Sequence, residues 1–161
     1  MLIFVTLAAM TAEIRFYHVE SDTAVKALPA LVNKALSKGM RVLLKAPDPA
    51  RRAFYDDYLW RYDRESFLPH GQDGDPMADQ QPVWVSTEDA APNGARMALL
   101  VEGAAMPPLG DYDLVCSLFD SENEEALQQA RRQWSALKKQ DGLMLTYWKK
   151  ETNGQWAKQN I

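Results

Sequence analysis

The first third of the chain alternates between strand-like and helix-like hydrophobic patterns. Residues 13–19 (EIRFYHV) alternate between apolar and polar and are rich in aromatic and β-branched side chains, which predicts a first strand. Apolar residues then recur every three or four positions from Val25 to Leu36, which predicts a helix that ends at Gly39. Pro29 within this pattern predicts either a kink or a late start of the regular helix. The apolar run at 41–46 predicts a second strand.

The rest of the chain predicts two more helices and four more strands. Pro49 suits the first turn of a helix that runs to about residue 60, and residues 72–81 are polar enough for a surface loop. Ser121 and Glu124 have the spacing of a capping box, which predicts a last helix that extends to about Gln140. The predicted strands are 83–86, 97–101, 113–119 and 143–148. This order of elements predicts a three-layer, Rossmann-like α/β domain with a mainly parallel sheet.

Length and composition favour one domain with an ordinary core. The chain has 161 residues, of which 47% are hydrophobic and 25% charged, without linkers or repeats. We expect the domain to span residues 11–150, with a C-terminal tail at 151–161. Residues 1–10 are expected to be an extension that is neither a signal peptide nor a membrane anchor. Two interpretations of it stay open: Met10 is the natural start, or the extension forms an added edge strand.

The single cysteine and the charge pattern limit the classes of function. Cys116 alone cannot form an intramolecular disulfide, which points to a reducing cytoplasm, and its apolar neighbours predict a buried thiol. The net charge of -4 argues against a protein that coats nucleic acid. Residues 70–125 carry twelve acidic residues and one basic residue, whereas residues 126–161 carry seven basic and two acidic residues. The C-terminal part therefore suits an acidic partner.

Motifs for catalysis and cofactor binding are weak in this sequence. The turn at 18–22 contains no glycine, so we expect no dinucleotide cofactor. The two histidines, His18 and His70, are expected to be hydrogen-bonded rather than metal-bound, so no metal site is predicted. An alternative is a small metal-dependent enzyme that processes nucleotides or phosphates with two carboxylate pairs. These pairs are Asp73 with Asp75 and Asp111 with Asp113, which are better interpreted as solvated turn residues.

The last predicted helix carries an indole between two cations. On a helical wheel, Trp134 shares an apolar face with Leu127 and Leu137, and Arg131 and Lys138 lie along its edge. Such a face suits a peptide that ends in an aromatic residue with a free carboxylate, since the ring needs a pocket and the anion needs donors. An ordinary packed helix with a basic rim would show the same pattern.

Several segments resemble one known family. Residues 59–71 (LWRYDRESFLPHG) are similar to the LW, ESF and PH run of the chi subunit of bacterial DNA polymerase III. Also similar are RVLL at 41–44, the ARxxW pattern at 130–134 and the ending at 142–148. The resemblance covers about residues 11–149, and its specificity lies mainly in the block at 60–70.

The resemblance implies a cytoplasmic adaptor without catalytic activity, cofactor or membrane contact. Such an adaptor binds the acidic, aromatic-ended C-terminal tail of single-stranded-DNA-binding protein, attaches to the clamp loader through the psi subunit and contacts DNA only indirectly. The resemblance places tail-binding residues at Trp60, Phe67, Arg131 and Trp134. We expect the three aromatic residues to form one pocket for the terminal Phe ring, with Arg131 and Lys138 binding its carboxylate and the tail's aspartates.

Two further points follow from individual residues. Ser135 stands where better-known members of that family carry lysine, and Lys138, one turn beyond Trp134, is a candidate substitute cation. A second alternative function is a structural subunit of another complex. Its interface anchors would be the tryptophans at 84, 148 and 156.

Overall fold

The computed structural model describes residues 12–160, apart from the side chains of residues 21–24. Within this range the chain forms eight strands and three helices. In chain order they are β1 (Ala12–Val19), α1 (Ser21–Ser37), β2 (Val42–Lys45), α2 (Pro49–Arg61), β3 (Gly71–Gln72), β4 (Val83–Ser86), β5 (Met97–Val101), β6 (Leu114–Asp120), α3 (Glu124–Lys138), β7 (Leu143–Lys150) and β8 (Trp156–Gln159). Residues Ala78–Gln80 and Leu109–Asp111 form short 3₁₀ turns.

The strands form one sheet in the order β3-β4-β2-β5-β6-β1-β7-β8. Every neighbouring pair is parallel except β7 and β8, which are antiparallel. β1 lies between β6 and β7, so Phe16 pairs with Ser117 on one side and with Tyr147 on the other. The predicted α/β class with a mainly parallel sheet is confirmed.

Helices cover both faces of the sheet, because alternate strand residues point to opposite sides. On one face, Leu28 and Val32 of α1 and Tyr55 and Leu59 of α2 belong to one buried apolar cluster. On the other face, α3 contributes to a second cluster. The buried members of this second cluster from outside the sheet are Ala130 and Leu137 of α3 with Ala95, Ala104 and Tyr112 of the connecting loops. The sheet is therefore the middle of three layers.

Local capping fixes where α2 and α3 begin. At α2, the Asp48 side chain accepts a hydrogen bond from the backbone N of Arg51 at 2.8 Å, and Pro49 occupies the first turn. At α3 the prediction of Ser121 as the cap is wrong, because the Asn123 side chain accepts from the backbone N of Ala126 at 3.0 Å. Ser121 instead donates its backbone N–H to the Val19 carbonyl at 2.9 Å, which ties the end of β6 to β1.

The six predicted strands are present with bounds within two residues of those expected, and Pro29 lies inside α1. Two strands were not predicted. β3 lies within the expected loop and has two residues, and β8 lies within the segment that we expected to be a tail. Residues 1–10 lie outside the described part of the chain, so their two interpretations stay open.

Cys116 lies in the interior of the domain. Cys116 is buried, and its burial raises the pKa of the thiol to about 12, as expected for a small core residue rather than a nucleophile. A bilayer crossing requires both length and apolar composition, and no helix in the described range combines them.

Candidate functional site

One groove lies between α3 and the carboxyl ends of three adjacent strands. We call it the α3 groove. It is lined by Phe16 and His18 of β1, Phe119 of β6, Tyr147 of β7, Ser121, and Leu127, Ala130, Arg131, Trp134 and Ser135 of α3. Its volume is about 500 Å³. Strands β6, β1 and β7 are neighbours in the sheet, which is why residues distant in sequence meet in its floor.

Aromatic rings form most of the groove's apolar surface. The Trp134 indole is half-buried and meets the Phe16 ring edge-on, with ring centroids 5.4 Å apart. It also meets the Tyr147 ring at 6.3 Å, in a perpendicular arrangement. These edge-to-face contacts hold the indole in place while one side of it lines the groove. The groove therefore presents aromatic side chains against which a further ring can pack.

Polar groups lie at the floor and rim of the groove. His18 Nδ1 and the Tyr147 hydroxyl are 2.5 Å apart, and burial followed by the nearby Lys149 lowers the pKa of His18, which favours the neutral ring. Arg131 is exposed at the rim. Lys138 is exposed one turn beyond Trp134 but does not line the groove. No salt bridge between described residues involves Arg131 or Lys138, so both cations are available to an anion.

Trp60 and Phe67 lie elsewhere, and we call their surface the Trp60 patch. Trp60 is 47% exposed and Phe67 76%, with ring centroids 5.9 Å apart. Their neighbours Leu59 and Leu68 belong to the cluster under α1 and α2, whereas Trp134 packs on the cluster under α3. The structure therefore does not bring Trp60 and Phe67 together with Trp134. The expected single pocket is instead two surfaces on opposite faces of the sheet.

A buried histidine supports the Trp60 patch. The His70 side chain is fully buried, with its ring centroid 4.1 Å from that of Trp60. Its Nδ1 lies 2.8 Å from the Leu68 carbonyl and its Nε2 3.0 Å from the Asp56 carbonyl. Both carbonyls can only accept, so a ring nitrogen that carries a proton can donate to the carbonyl that it contacts. The loop after α2 is thereby fastened to the helix directly beneath Trp60.

The Asp56 carboxylate completes this arrangement. Its Oδ1 lies 3.3 Å from His70 Nε2, and its Oδ2 accepts from Gln72 Nε2 at 3.2 Å. Burial raises the pKa of Asp56, and the neighbouring His70 opposes that shift. We call His70, Asp56 and the two carbonyls the His70 staple. It gives a physical reason for the histidine at the end of the 60–70 block.

A comparison with known proteins shows the family to which the chain belongs. Residues 10–145 match the family model described as DNA polymerase III chi subunit, HolC. The chain belongs to this family. A probable DNA polymerase III subunit chi from Rickettsia prowazekii (strain Madrid E) is similar to this chi-family protein, with 27% identity over 85 residues. That match covers 53% of the chain and 52% of the relative, so it spans about half the length of each.

The first carboxylate pair of the alternative enzyme is engaged in local hydrogen bonds. Asp73 accepts from Trp84 Nε1 at 3.2 Å, Ser86 Oγ at 3.0 Å and the backbone N of Thr87 at 3.1 Å. Asp75 accepts from the backbone N of Gln72 at 2.9 Å. These contacts support the interpretation of this pair as turn residues.

Asp113 of the second pair also has a local role. Asp113 pairs with Arg96 at 2.9 Å, and this arginine holds the pKa of the carboxyl below its usual range. Among the residues that the structure describes, no cluster of three or more His, Cys, Asp or Glu side chains is placed to hold a metal ion.

A second crevice, of about 420 Å³, lies at the carboxyl ends of β2, β5 and β6. This is where α/β proteins often bind nucleotides. Here, however, Arg51 Nε donates to Glu102 Oε2 at 2.8 Å, and the Tyr55 hydroxyl donates to the same oxygen at 2.6 Å. The lining also includes the carboxylates of Asp48, Asp120 and Glu125. This crowding of carboxylates disfavours a phosphate.

The tryptophans of the second alternative are not a common exposed surface. Trp84 is only 3% exposed, so it cannot act as an interface anchor in this conformation. Trp148 and Trp156 are partly buried against Tyr17, at ring-centroid distances of 6.1 and 4.9 Å. Sequence reasoning also missed the five groove residues of the chi-family protein that lie outside α3, namely Phe16, His18, Phe119, Ser121 and Tyr147.

Proposed function

We propose that this chi-family protein is a non-catalytic accessory subunit of DNA polymerase III in the cytoplasm, which links single-stranded-DNA-binding protein to the clamp loader during DNA replication. The observation that carries the proposal is the α3 groove, an apolar cleft with exposed Arg131 at its rim. Family membership supports the replication context. The hydrogen bonds of Asp73 and Asp75 and the ion pair of Asp113 support a role without chemistry.

The α3 groove suits the acidic C-terminal tail of single-stranded-DNA-binding protein. A terminal Phe ring would pack against Trp134 and Phe16 at the groove floor, which buries apolar surface. Its carboxylate would pair with Arg131, and the guanidinium can donate two parallel hydrogen bonds to it. Lys138, exposed one turn beyond Trp134, is one candidate cation for the acidic residues that precede the Phe. One ring and a few exposed ion pairs suggest a dissociation constant on the order of micromolar.

The Trp60 patch suits the second partner of an adaptor. Two exposed aromatic side chains that are held together are typical of interface anchors. Because the patch and the α3 groove lie on opposite faces of the sheet, both can be occupied at once. We therefore assign Trp60 and Phe67 to the clamp-loader side, through psi, and the tail to Arg131 and Trp134.

Replacement of the patch should separate the two binding activities. In the double variant Trp60→Ala/Phe67→Ala, we expect binding of the purified clamp loader to weaken at least about tenfold, since both anchors are lost. Binding of an acidic peptide ending in Phe should stay within about twofold, because the α3 groove is untouched. Size-exclusion chromatography and calorimetry measure these two results.

Phe54→Ala is the matched control for the patch. Phe54 is an exposed aromatic residue of the same helix, 39% exposed, but its ring stacks on Tyr58 rather than on Phe67. Its removal should leave both partners bound. If the double variant instead loses the peptide and keeps the clamp loader, the assignment of the two surfaces is wrong.

A further inference from the structure

His18 lies between the α3 groove and a neighbouring cavity, since it lines both. This second cavity, of about 370 Å³, continues over the carboxyl end of β7. Its other lining residues are Val19, Glu20, Lys149, Lys150, Glu151 and Thr152. A peptide chain that leaves the α3 groove past His18 therefore enters a cleft with two lysines. Lys138, by contrast, lines neither cavity.

The two lysines are not equivalent. Along β7, Tyr147 lines the α3 groove and Trp148 packs on the opposite face, so alternation puts Lys149 on the groove face. Lys149 is also paired with His18 in the sheet register. Lys150 points the other way, with its ammonium nitrogen 5.5 Å from the centroid of the Trp156 ring. Lys149 is thus the cation that faces the path of the peptide.

Lys149 is exposed and available. No salt bridge between residues of the described range includes it. Its positive charge contributes to the lowered pKa of His18, in agreement with the pairing of these two residues between β1 and β7. Glu20 and Asp120 act on His18 in the opposite sense, and Glu151 lines the same cleft. Of the two lysines that line this cavity, Lys149 is therefore the one placed to bind a carboxylate of the peptide.

We propose that the acidic residues preceding the terminal aromatic residue of the bound tail run over His18 to the end of β7, where Lys149 binds them. The inference rests on the proposed tail binding and adds the direction of the peptide and a specificity residue. Arg131 binds the terminal carboxylate, and Lys149 binds the acidic residues that precede it. The competing route runs along α3 to Lys138.

A charge-reversal experiment on two peptides tests the route. One peptide has nine residues, is rich in Asp and ends in Phe, and the other has Asn in place of every Asp but keeps the terminal Phe carboxylate. For Lys149→Glu we expect the dissociation constant of the acidic peptide to rise about five- to twentyfold, and that of the Asn peptide less than about twofold. Fluorescence anisotropy with labelled peptides measures both, and melting temperature checks the fold.

Two variants are matched controls. Lys150→Glu makes the same change in net charge one residue away, and it should weaken the acidic peptide less than about threefold. Lys138→Glu places the same charge on the competing route and should also have the smaller effect. If Lys150→Glu or Lys138→Glu matches Lys149→Glu, or if the Asn peptide is weakened equally, the proposed route is wrong while tail binding stands. If the unmodified protein binds neither peptide, the proposed function fails, and the route with it.

Discussion

Arg131→Ala is expected to weaken binding of an acidic peptide ending in Phe by about 1–3 kcal/mol, with no change in fold. Arg131 lines the α3 groove and is exposed, so its removal takes away a donor to the peptide carboxylate without opening the core. Calorimetric titration of the purified variant gives the change in binding free energy. Its urea unfolding curve should match that of the unmodified protein.

Arg132→Ala is the matched control for this prediction. Arg132 is the next residue of α3, is also exposed, and does not line the groove. Both variants lower the net charge equally, so a general electrostatic effect would weaken the peptide equally in both. We expect Arg132→Ala to cost less than about 0.5 kcal/mol. Equal losses in the two variants would remove Arg131 from the site.

His70→Ala is expected to destabilise the protein by about 2–4 kcal/mol, the largest effect on folding among these predictions. The substitution removes a fully buried ring that contacts the Leu68 and Asp56 carbonyls. It takes away the ring nitrogen that lies 3.3 Å from the Asp56 carboxylate, which is partly buried. It also removes the ring on which the Trp60 indole rests, so binding at the Trp60 patch should weaken in the same variant.

Urea unfolding followed by tryptophan fluorescence measures this loss of stability. Glu65→Ala, at an exposed position of the same loop, is the control and should stay within about 0.5 kcal/mol. Peptide binding at the α3 groove should be unchanged under conditions in which His70→Ala remains folded. A loss below about 1 kcal/mol for His70→Ala would show that the His70 staple does not hold the loop.

The strands could be predicted from the sequence because their patterns are local. Alternation at 13–19 and apolar runs at 83–86 and 97–101 mark buried strands regardless of their neighbours. β3 has only two residues, and β8 is a short edge strand without an apolar run, so neither has a pattern of its own. The cap of α3 was misplaced because Ser121 and Asn123 both suit a helix start. The hydrogen bond that the Asn123 side chain accepts from the backbone N of Ala126 decides between them, and it is visible only in the fold.

Half of the α3 groove could be predicted from one helix. The wheel placed Arg131 and Trp134 together correctly, since residues three apart share a helix face. His18, Phe119 and Tyr147 could not be found in this way, because they meet only through the strand order β6-β1-β7. Family resemblance has the same limit: it named Trp60 and Phe67 as functional residues without their position in the fold. The sequence alone does not show that Trp60 and Phe67 lie on the opposite face of the sheet from Trp134, so all three were placed in one pocket.

The most direct test of the account is calorimetric titration with two acidic peptides that differ only at the C-terminus. One ends in Phe with a free carboxylate, and the other ends in the same Phe as an amide. We predict that the free acid binds with a dissociation constant on the order of micromolar, and that the amide binds at least about tenfold more weakly. In Arg131→Ala the difference between the two peptides should largely disappear. Equal binding of the acid and the amide by the unmodified protein would contradict the proposal that the α3 groove binds a terminal carboxylate.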